Sequence, residues 1–124
     1  MGKKRILIID DEKDLTKIMK FNLEKTDLYE VRTESDGAQG IAAAKEFKPD
    51  LILLDIMMPG LDGGAVAQRL SSDEDTKKIP TVFLTAMVGK NEVKAGGSVI
   101  SKNVFIAKPV DMEELNAAIE QWAL

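Results

Sequence analysis

Short apolar runs alternate along the chain with longer amphipathic stretches. Three runs, Arg5–Ile9, Leu51–Leu54 and Val82–Leu84, are almost continuously apolar, which is typical of strands buried on both faces of a parallel sheet. Tyr29–Thr33 alternates between apolar and polar positions and fits an edge strand. Asn103–Ala107 provides a fifth strand. The pattern therefore predicts a β-α unit that is repeated five times.

The stretches between these strands carry apolar residues at helical spacing, and each pattern predicts one apolar stripe that packs on the sheet. The residues are Leu15, Ile18 and Met19 in the first stretch, Ala38, Ile41 and Ala42 in the second, Val66, Ala67 and Leu70 in the third, and Leu115, Ala118, Ile119 and Trp122 in the last. Asp111, followed by Glu114 three residues later, predicts a capping box. Glycines weaken the pattern between Met87 and Ser101, each costing about 1 kcal/mol relative to alanine in a helix. We expect a short or irregular element there.

The predicted elements assemble in only a few ways. Because crossovers between parallel strands are right-handed, we expect an α/β fold with a doubly wound, five-stranded parallel sheet and helices on both faces. The expected strand order is the flavodoxin-like order 2-1-3-4-5. No linker or internal repeat is visible, so residues 1–124 are expected to form one domain. In such sheets the functional site lies outside the carboxyl ends of the strands.

Composition narrows the class of protein. The chain is 44% apolar and 31% charged, with a formal charge of -4, and its basic run Lys3–Arg5 is too short for a nucleic-acid surface. Cys and His are both absent, which excludes thiolate and imidazole chemistry. No apolar run approaches the ~20 residues of a membrane span. We expect a soluble, cytoplasmic protein that binds neither nucleic acid directly nor a membrane.

Polar residues follow four of the predicted strands. They are Asp10, Asp11 and Glu12 after the first, Asp55 after the third, Thr85 after the fourth and Lys108 after the fifth. Each residue type has a plain structural explanation, since an acidic pair caps a helix, a Thr forms a turn and a Lys before a Pro is usually solvated. Because such sheets have their site outside the carboxyl ends of the strands, however, these side chains are expected to share it.

Asp55 is the hardest of these residues to explain as plain structure. It follows four apolar residues, so its carboxylate is expected at the edge of the core, where burial raises its pKa. With Asp10 and Asp11, up to three carboxylates converge, and two unit charges about 4 Å apart repel by ~4 kcal/mol at an effective dielectric of about 20. The cluster therefore requires a cation. Oxygen ligands with room for water and phosphate suit Mg²⁺ better than Ca²⁺.

Thr85 and Lys108 are not needed for a metal site alone, but both suit a phosphoryl group. Phosphoryl transfer depends mainly on positioning and charge neutralisation, and an Asp carboxylate can be the nucleophile. Asp55 would accept the group, and Lys108 would supply a compact ammonium. The Thr85 hydroxyl would donate a hydrogen bond to a phosphate oxygen.

The segment Asp55–Gly63 strongly resembles the receiver domains of bacterial two-component response regulators. Asp10 and Asp11 after the first strand, Thr85 after the fourth and Lys108 after the fifth match that family in order and approximate spacing. The resemblance covers essentially the whole chain. It implies a phosphoacceptor signalling switch that depends on Mg²⁺.

The resemblance also implies a role for each matching residue. Asp55 is the implied phosphoacceptor, assisted by Lys108 and Thr85. The implied Mg²⁺ ligands are Asp11, Asp55 and the backbone carbonyl of Met57, with Asp10 contributing through water. Thr85 and Phe105 are the implied switch pair, in which the hydroxyl moves toward the phosphoryl group and the ring turns inward, although a Phe in a strand is more often plain core. The Lys108–Pro109 peptide bond is expected to be cis.

Partners follow from the same resemblance. The implied phosphoryl donor is a sensor histidine kinase or phosphotransfer protein, and an unidentified protein is expected to read the change. The domain is expected to catalyse its own phosphorylation and slow dephosphorylation, as a monomer or weak dimer. The sequence departs from the family between Met87 and Asn103, where a shorter fourth helix and a longer following loop are expected.

Other interpretations stay open. The chain is either a free-standing regulator or a receiver domain from a longer protein with an output domain. A flavodoxin-like cofactor module needs a loop of Ser, Thr and Gly after the first strand, where Asp10, Asp11 and Glu12 would repel a bare phosphate. A metal-dependent phosphatase with an Asp-x-Asp pair is a further alternative, but here Asp10 is followed two residues later by Glu12.

Overall fold

The computed structural model describes residues 2–58, 63–85, 98–100 and 103–123. Its elements are β1 (Lys4–Ile9), α1 (Lys13–Glu24), β2 (Tyr29–Glu34), α2 (Gly37–Phe47), β3 (Leu51–Asp55), α3 (Gly63–Ser72), β4 (Thr81–Thr85), β5 (Ser98–Ile100), β6 (Asn103–Ala107) and α4 (Met112–Trp122). The five predicted strands are reproduced to within one residue at each end. Most of the irregular element predicted between Met87 and Ser101 lies outside the described residues.

The strands form one sheet in the order β2-β1-β3-β4-β6-β5. Five of them pair in parallel, which confirms the doubly wound fold and the order 2-1-3-4-5 predicted for these strands. The sixth strand, β5, adds to the edge and pairs antiparallel with β6, where Ile100 lies opposite Asn103. It was not predicted, because three residues are too few to show the alternation of a strand.

Helices cover both faces of the sheet. Residues of α1 and α4 pack on one face, and residues of α2 and α3 pack on the other. Successive residues of β1 alternate between the two, so that Ile6 and Ile8 belong to the first core and Leu7 and Ile9 to the second. This double burial explains the continuous apolar runs, since burying a Leu or Ile side chain contributes about 1.5–3 kcal/mol.

The predicted apolar stripes are confirmed in α3 and α4 but are partly wrong in the first two helices. In α1, Ile18 is 56% exposed instead of packing on the sheet. In α2, Ala38 and Ala42 are exposed, whereas Gly40 and Ala43 are buried. The prediction for α2 failed because Gly and Ala occur on all sides of this helix and give little contrast between its faces.

The last helix begins at the predicted N-cap, but the capping hydrogen bond comes from Glu113 and not from Glu114, the other residue of the predicted capping box. Asp111 is its N-cap, and the Asp111 carboxylate accepts a hydrogen bond from the N–H of Glu113 at 2.8 Å. Its buried face consists of Leu115, Ala118 and Ile119. Within the part of the chain that the structure describes, every helix is too short or too polar to cross a membrane.

Gly63 brings the start of α3 against the end of β3. The N–H of Gly63 donates to the carbonyl of Ile56 at 3.0 Å. A Cβ at this position would clash with the backbone of Asp55 and Ile56. Glycine therefore permits an approach that any other residue would block, and this approach fixes the position of Asp55 relative to α3.

Candidate functional site

The polar residues singled out from the sequence lie in one layer at the carboxyl edge of the sheet. Asp55 ends β3 and Thr85 ends β4, whereas Asp10 and Lys108 directly follow β1 and β6. The parallel register aligns these strand ends with one another. The fold therefore brings together side chains that are far apart in the sequence.

Three carboxylates meet at this edge. One oxygen from each of Asp10, Asp11 and Asp55 lies within 4.8 Å of the other two. Asp10 is completely buried and Asp55 is 3% exposed, while Asp11 is partly exposed. Backbone N–H groups orient two of them, since Glu12 donates to Asp10 Oδ1 at 2.9 Å and Met57 donates to Asp55 Oδ1 at 3.1 Å.

The Lys108 ammonium lies among these carboxylates. Its Nζ is 2.9 Å from Asp10 Oδ2, 3.4 Å from Asp55 Oδ2 and 2.7 Å from Glu12 Oε1. The Lys108 side chain is only 11% exposed, so its contacts with Asp10 and Asp55 form largely out of water. We call Asp10, Asp11, Asp55 and Lys108 the strand-end cluster.

The surroundings of the strand-end cluster shift two pKa values. Burial and the nearby Asp10 carboxylate raise the pKa of Asp55 to about 6, against the opposing effects of the Met57 N–H and the Lys108 charge. Burial alone would lower the pKa of Lys108, but its close contacts with the Glu12 and Asp10 carboxylates outweigh burial and raise it. Lys108 therefore stays charged at neutral pH. One ammonium does not neutralise the carboxylates around it.

One oxygen of the cluster lacks a well-directed hydrogen bond. Asp10 Oδ2 is buried and lies 2.9 Å from Lys108 Nζ, yet it accepts no hydrogen bond of good geometry from the described residues. A buried polar group left unsatisfied costs about 1–3 kcal/mol, and more when it is charged. This oxygen, beside two further carboxylates and with no ligand type other than oxygen, fits a hard divalent cation such as Mg²⁺.

Thr85 and Phe105 lie on adjacent strands that both end at the cluster. Thr85 is 1% exposed, and its carbonyl accepts a hydrogen bond from the backbone N–H of Lys108 at 2.9 Å. Phe105 is partly buried and stacks on Phe83, with ring centroids 5.3 Å apart. The peptide bond between Lys108 and Pro109 is cis, as predicted. A change at the end of β4 would therefore be close to the aromatic residues behind it.

Two residues of the site were given no role from the sequence. Glu12 makes the shortest contact of Lys108, at 2.7 Å, and Gly63 admits the start of α3 beside Asp55. Glu12 belongs to the same acidic run as the two preceding Asp residues, and Gly63 ends the segment that carries the family resemblance. The sequence therefore shows where Glu12 and Gly63 lie in the chain, but not that Glu12 contacts Lys108 or that Gly63 packs against Asp55.

A surface cavity of about 660 Å³ lies away from the strand-end cluster. It is lined by residues of α3, by the start of β4 and by Trp122, and it includes none of the four cluster residues. None of the described residues that line it carries a carboxylate. The chemistry therefore points to the strand-end cluster and not to this cavity.

Comparison with known proteins gives consistent matches. A family model described as the response regulator receiver domain matches residues 6–120. The chain is 42% identical over 115 residues to the DNA-binding dual master transcriptional regulator RpaA of Synechocystis sp., covering 93% of this chain and 47% of RpaA. It is 35% identical over 117 residues to the alkaline phosphatase synthesis transcriptional regulatory protein PhoP of Bacillus subtilis, covering 94% of this chain and 47% of PhoP. The chain thus spans about half the length of these relatives.

A solved structure supports the same likeness. The receiver domain of a sensor histidine kinase from Pseudomonas aeruginosa matches with a TM-score of 0.80 and 25% identity, covering 98% of both chains. That structure is described as having a magnesium ion coordinated in its active site cleft.

Proposed function

The chain belongs to the response regulator receiver domain family, and from this premise we propose that it is the phosphoacceptor switch of a two-component phosphorelay. The phosphoacceptor is Asp55. The observation that carries the proposal is the position of its carboxylate, which is 3% exposed at the end of β3. It lies close to two further carboxylates and 3.4 Å from the Lys108 ammonium.

Asp55 acts as the nucleophile. One of its carboxylate oxygens forms a bond to the phosphorus of the donor, while the bond from phosphorus to the leaving group breaks. With a pKa of about 6, Asp55 is mostly ionised at neutral pH and needs no separate base. Lys108 offsets the charge of the phosphoryl oxygens, and the Thr85 hydroxyl donates a hydrogen bond to one of them.

The residues present fit Mg²⁺ as the cofactor. Asp11, Asp55 and the backbone carbonyl of Met57 are the proposed ligands, and Asp10 contributes through water. When bound, the ion offsets the charge of the carboxylates and of the incoming phosphoryl group. The support is the buried Asp10 oxygen that accepts no well-directed hydrogen bond from the described residues, together with the magnesium described for the Pseudomonas aeruginosa relative.

Thr85 and Phe105 form the proposed switch pair. The Thr85 hydroxyl moves toward the phosphoryl group, and the Phe105 ring turns inward into the space that it leaves. Phe105 is partly buried and its ring already packs on Phe83. The proposed change therefore exchanges one packed arrangement for another, and the phosphoryl group biases the choice between them.

The proposed donor is a sensor histidine kinase or phosphotransfer protein, which suits a chain that has no His of its own. Residues 1–124 act as one cytoplasmic receiver domain, a monomer or weak dimer, that catalyses its own phosphorylation and slow dephosphorylation. A partner protein, or an output domain of a longer chain, reads the change. RpaA and PhoP are named as transcriptional regulators, and the chain covers 47% of each. An output domain in a longer chain is therefore retained as an alternative to a separate partner protein. The matches give no support to a flavodoxin-like cofactor module.

Labelling with acetyl phosphate tests the proposal. With Mg²⁺ present, mass spectrometry should show one added phosphoryl group, and peptide mapping should place it on Asp55. Asp55→Asn should accept none, whereas the control Asp75→Asn, which removes an exposed carboxylate, should be labelled like the wild type. Removing Mg²⁺ should largely abolish labelling. Equal labelling of Asp55→Asn and wild type would overturn the assignment.

A further inference from the structure

We propose that Glu12 is a positioning residue, whose hydrogen bond holds the Lys108 ammonium back from closer contact with Asp55 until an incoming phosphoryl group displaces it. The inference rests on the proposed function of Asp55. It adds a residue that lies outside the proposed metal ligands and the phosphoacceptor. Glu12 thereby sets how readily Lys108 becomes available for the reaction.

The three contacts of Lys108 are unequal. A Lys ammonium has three N–H donors, and its Nζ lies 2.7 Å from Glu12, 2.9 Å from Asp10 and 3.4 Å from Asp55. Charge-assisted hydrogen bonds of this kind are normally about 2.7–2.9 Å long, so the contact with Asp55 is too long to be one. The directed hydrogen bond of Nζ goes to Glu12. Glu12 thus makes the shortest contact of Lys108 and the phosphoacceptor Asp55 the longest of the three.

Glu12 is anchored at its backbone but not along its side chain. Its N–H donates to Asp10 Oδ1 at 2.9 Å, and its carbonyl accepts from the N–H of Thr16 at 3.0 Å at the start of α1. Although Glu12 occupies the N-cap position, its side chain makes no capping hydrogen bond. The side chain is 58% exposed. The Glu12 carboxylate can therefore leave Lys108 and be solvated without disturbing the helix.

The reaction creates a competitor for Glu12. When an acyl phosphate reacts, an Asp55 oxygen bonds to phosphorus, the phosphorus–oxygen bond to the acyl group breaks, and the acylate leaves with the electron pair. Total charge is unchanged, but the phosphoryl oxygens now lie beside Asp55. Lys108 must turn toward them to stabilise their charge, and it gives up Glu12 in doing so. The Glu12 contact therefore slows the loading of Asp55.

The rate of loading by acetyl phosphate with Mg²⁺ tests this role in three variants. Glu12→Gln keeps the size of the side chain but removes its charge, and it should load about two- to five-fold faster, the range expected for releasing a partly exposed ion pair. Glu12→Asp keeps the charge but is one methylene shorter, so it should also load faster. The control Asp14→Asn removes an exposed carboxylate from the first turn of α1 and should load like the wild type.

A general charge effect predicts the reverse pattern, in which Glu12→Asp behaves like the wild type and Asp14→Asn loads faster. That pattern, or wild-type rates in both Glu12 variants, would overturn the role of Glu12. As a second readout, the NMR signal of the Lys108 side-chain nitrogen should move in both Glu12 variants and stay in place in Asp14→Asn. If the proposed function itself is wrong, the wild type will carry no label on Asp55, which distinguishes the two failures.

Discussion

Ion pairs occur in two regions of this chain, and the same chemical groups behave oppositely in them. At the surface, Lys3 pairs with Asp27 at 2.8 Å, and the hydrogen bond and charge of Lys3 lower the pKa of Asp27. In the strand-end cluster, burial raises the pKa of Asp55 to about 6, although the Lys108 ammonium is 3.4 Å away. A nearby Lys is therefore not enough to keep an Asp acidic.

Burial and the number of charges explain the difference. At the surface one carboxylate faces one ammonium and both reach water, so the pair contributes little to stability. In the strand-end cluster the carboxylates outnumber the ammonium, and Asp10 and Asp55 have almost no access to water. The free-energy cost of removing these charges from water therefore exceeds the attraction that a single ammonium provides. Strongly shifted pKa values of this origin are a mark of functional sites.

The largest expected effect comes from removing the buried ammonium. Lys108→Met keeps the apolar stem but leaves Asp10 and Asp55 without their counter-charge, so the free energy of unfolding at pH 7 should fall by about 3 kcal/mol. Urea denaturation measures this loss. The matched variant Lys3→Met, at a side chain that is 48% exposed, should lose at most a marginal part of its stability. Equal losses in both variants would remove the distinction between the two regions.

A smaller effect, of opposite sign, is expected at Asp55. Its folded pKa of about 6 lies above its ordinary value of 3.8. Between these two pH values the folded state therefore holds a proton that the unfolded state has lost. Its contribution to stability is present below pH 3.8 and is lost as the pH rises through about 6. Asp55→Asn should therefore match the wild type near pH 3.5 and be more stable at pH 7, by on the order of 2 kcal/mol.

Urea denaturation across pH 3.5 to about 7.5, in buffers without divalent ions, measures this difference. Metal-free conditions matter, because a cation in the cluster would stabilise the ionised form of Asp55. A constant difference between Asp55→Asn and wild type across this range would show that Asp55 does not titrate as its burial requires.

The sequence predicts which residues belong to the strand-end cluster better than it predicts the contacts among them. Asp10, Asp55 and Lys108 could be placed because each follows a strand with a clear apolar run, and parallel strands end at the same edge of the sheet. The contact between Glu12 and Lys108 could not, since it joins residues 96 positions apart through an exposed side chain. The added strand Ser98–Ile100 was missed because its pairing with β6 depends on tertiary structure and not on a local pattern.

The smallest expected effect lies at the surface pair, and its sign decides the comparison. Asp27 has a φ of 62°, and Asn tolerates this left-handed conformation well, so Asp27→Asn removes the charge without straining the backbone. Because the pKa of Asp27 is lowered in the folded state, its contribution is present above the unfolded pKa and is lost as the pH falls. Asp27→Asn should therefore be marginally less stable than the wild type at pH 7, and about 1 M salt should erase the difference by screening. If Asp27→Asn instead stabilised the chain at pH 7, as Asp55→Asn should, loss of a carboxylate would be stabilising whether or not it is buried, and the contrast between the two regions would fail.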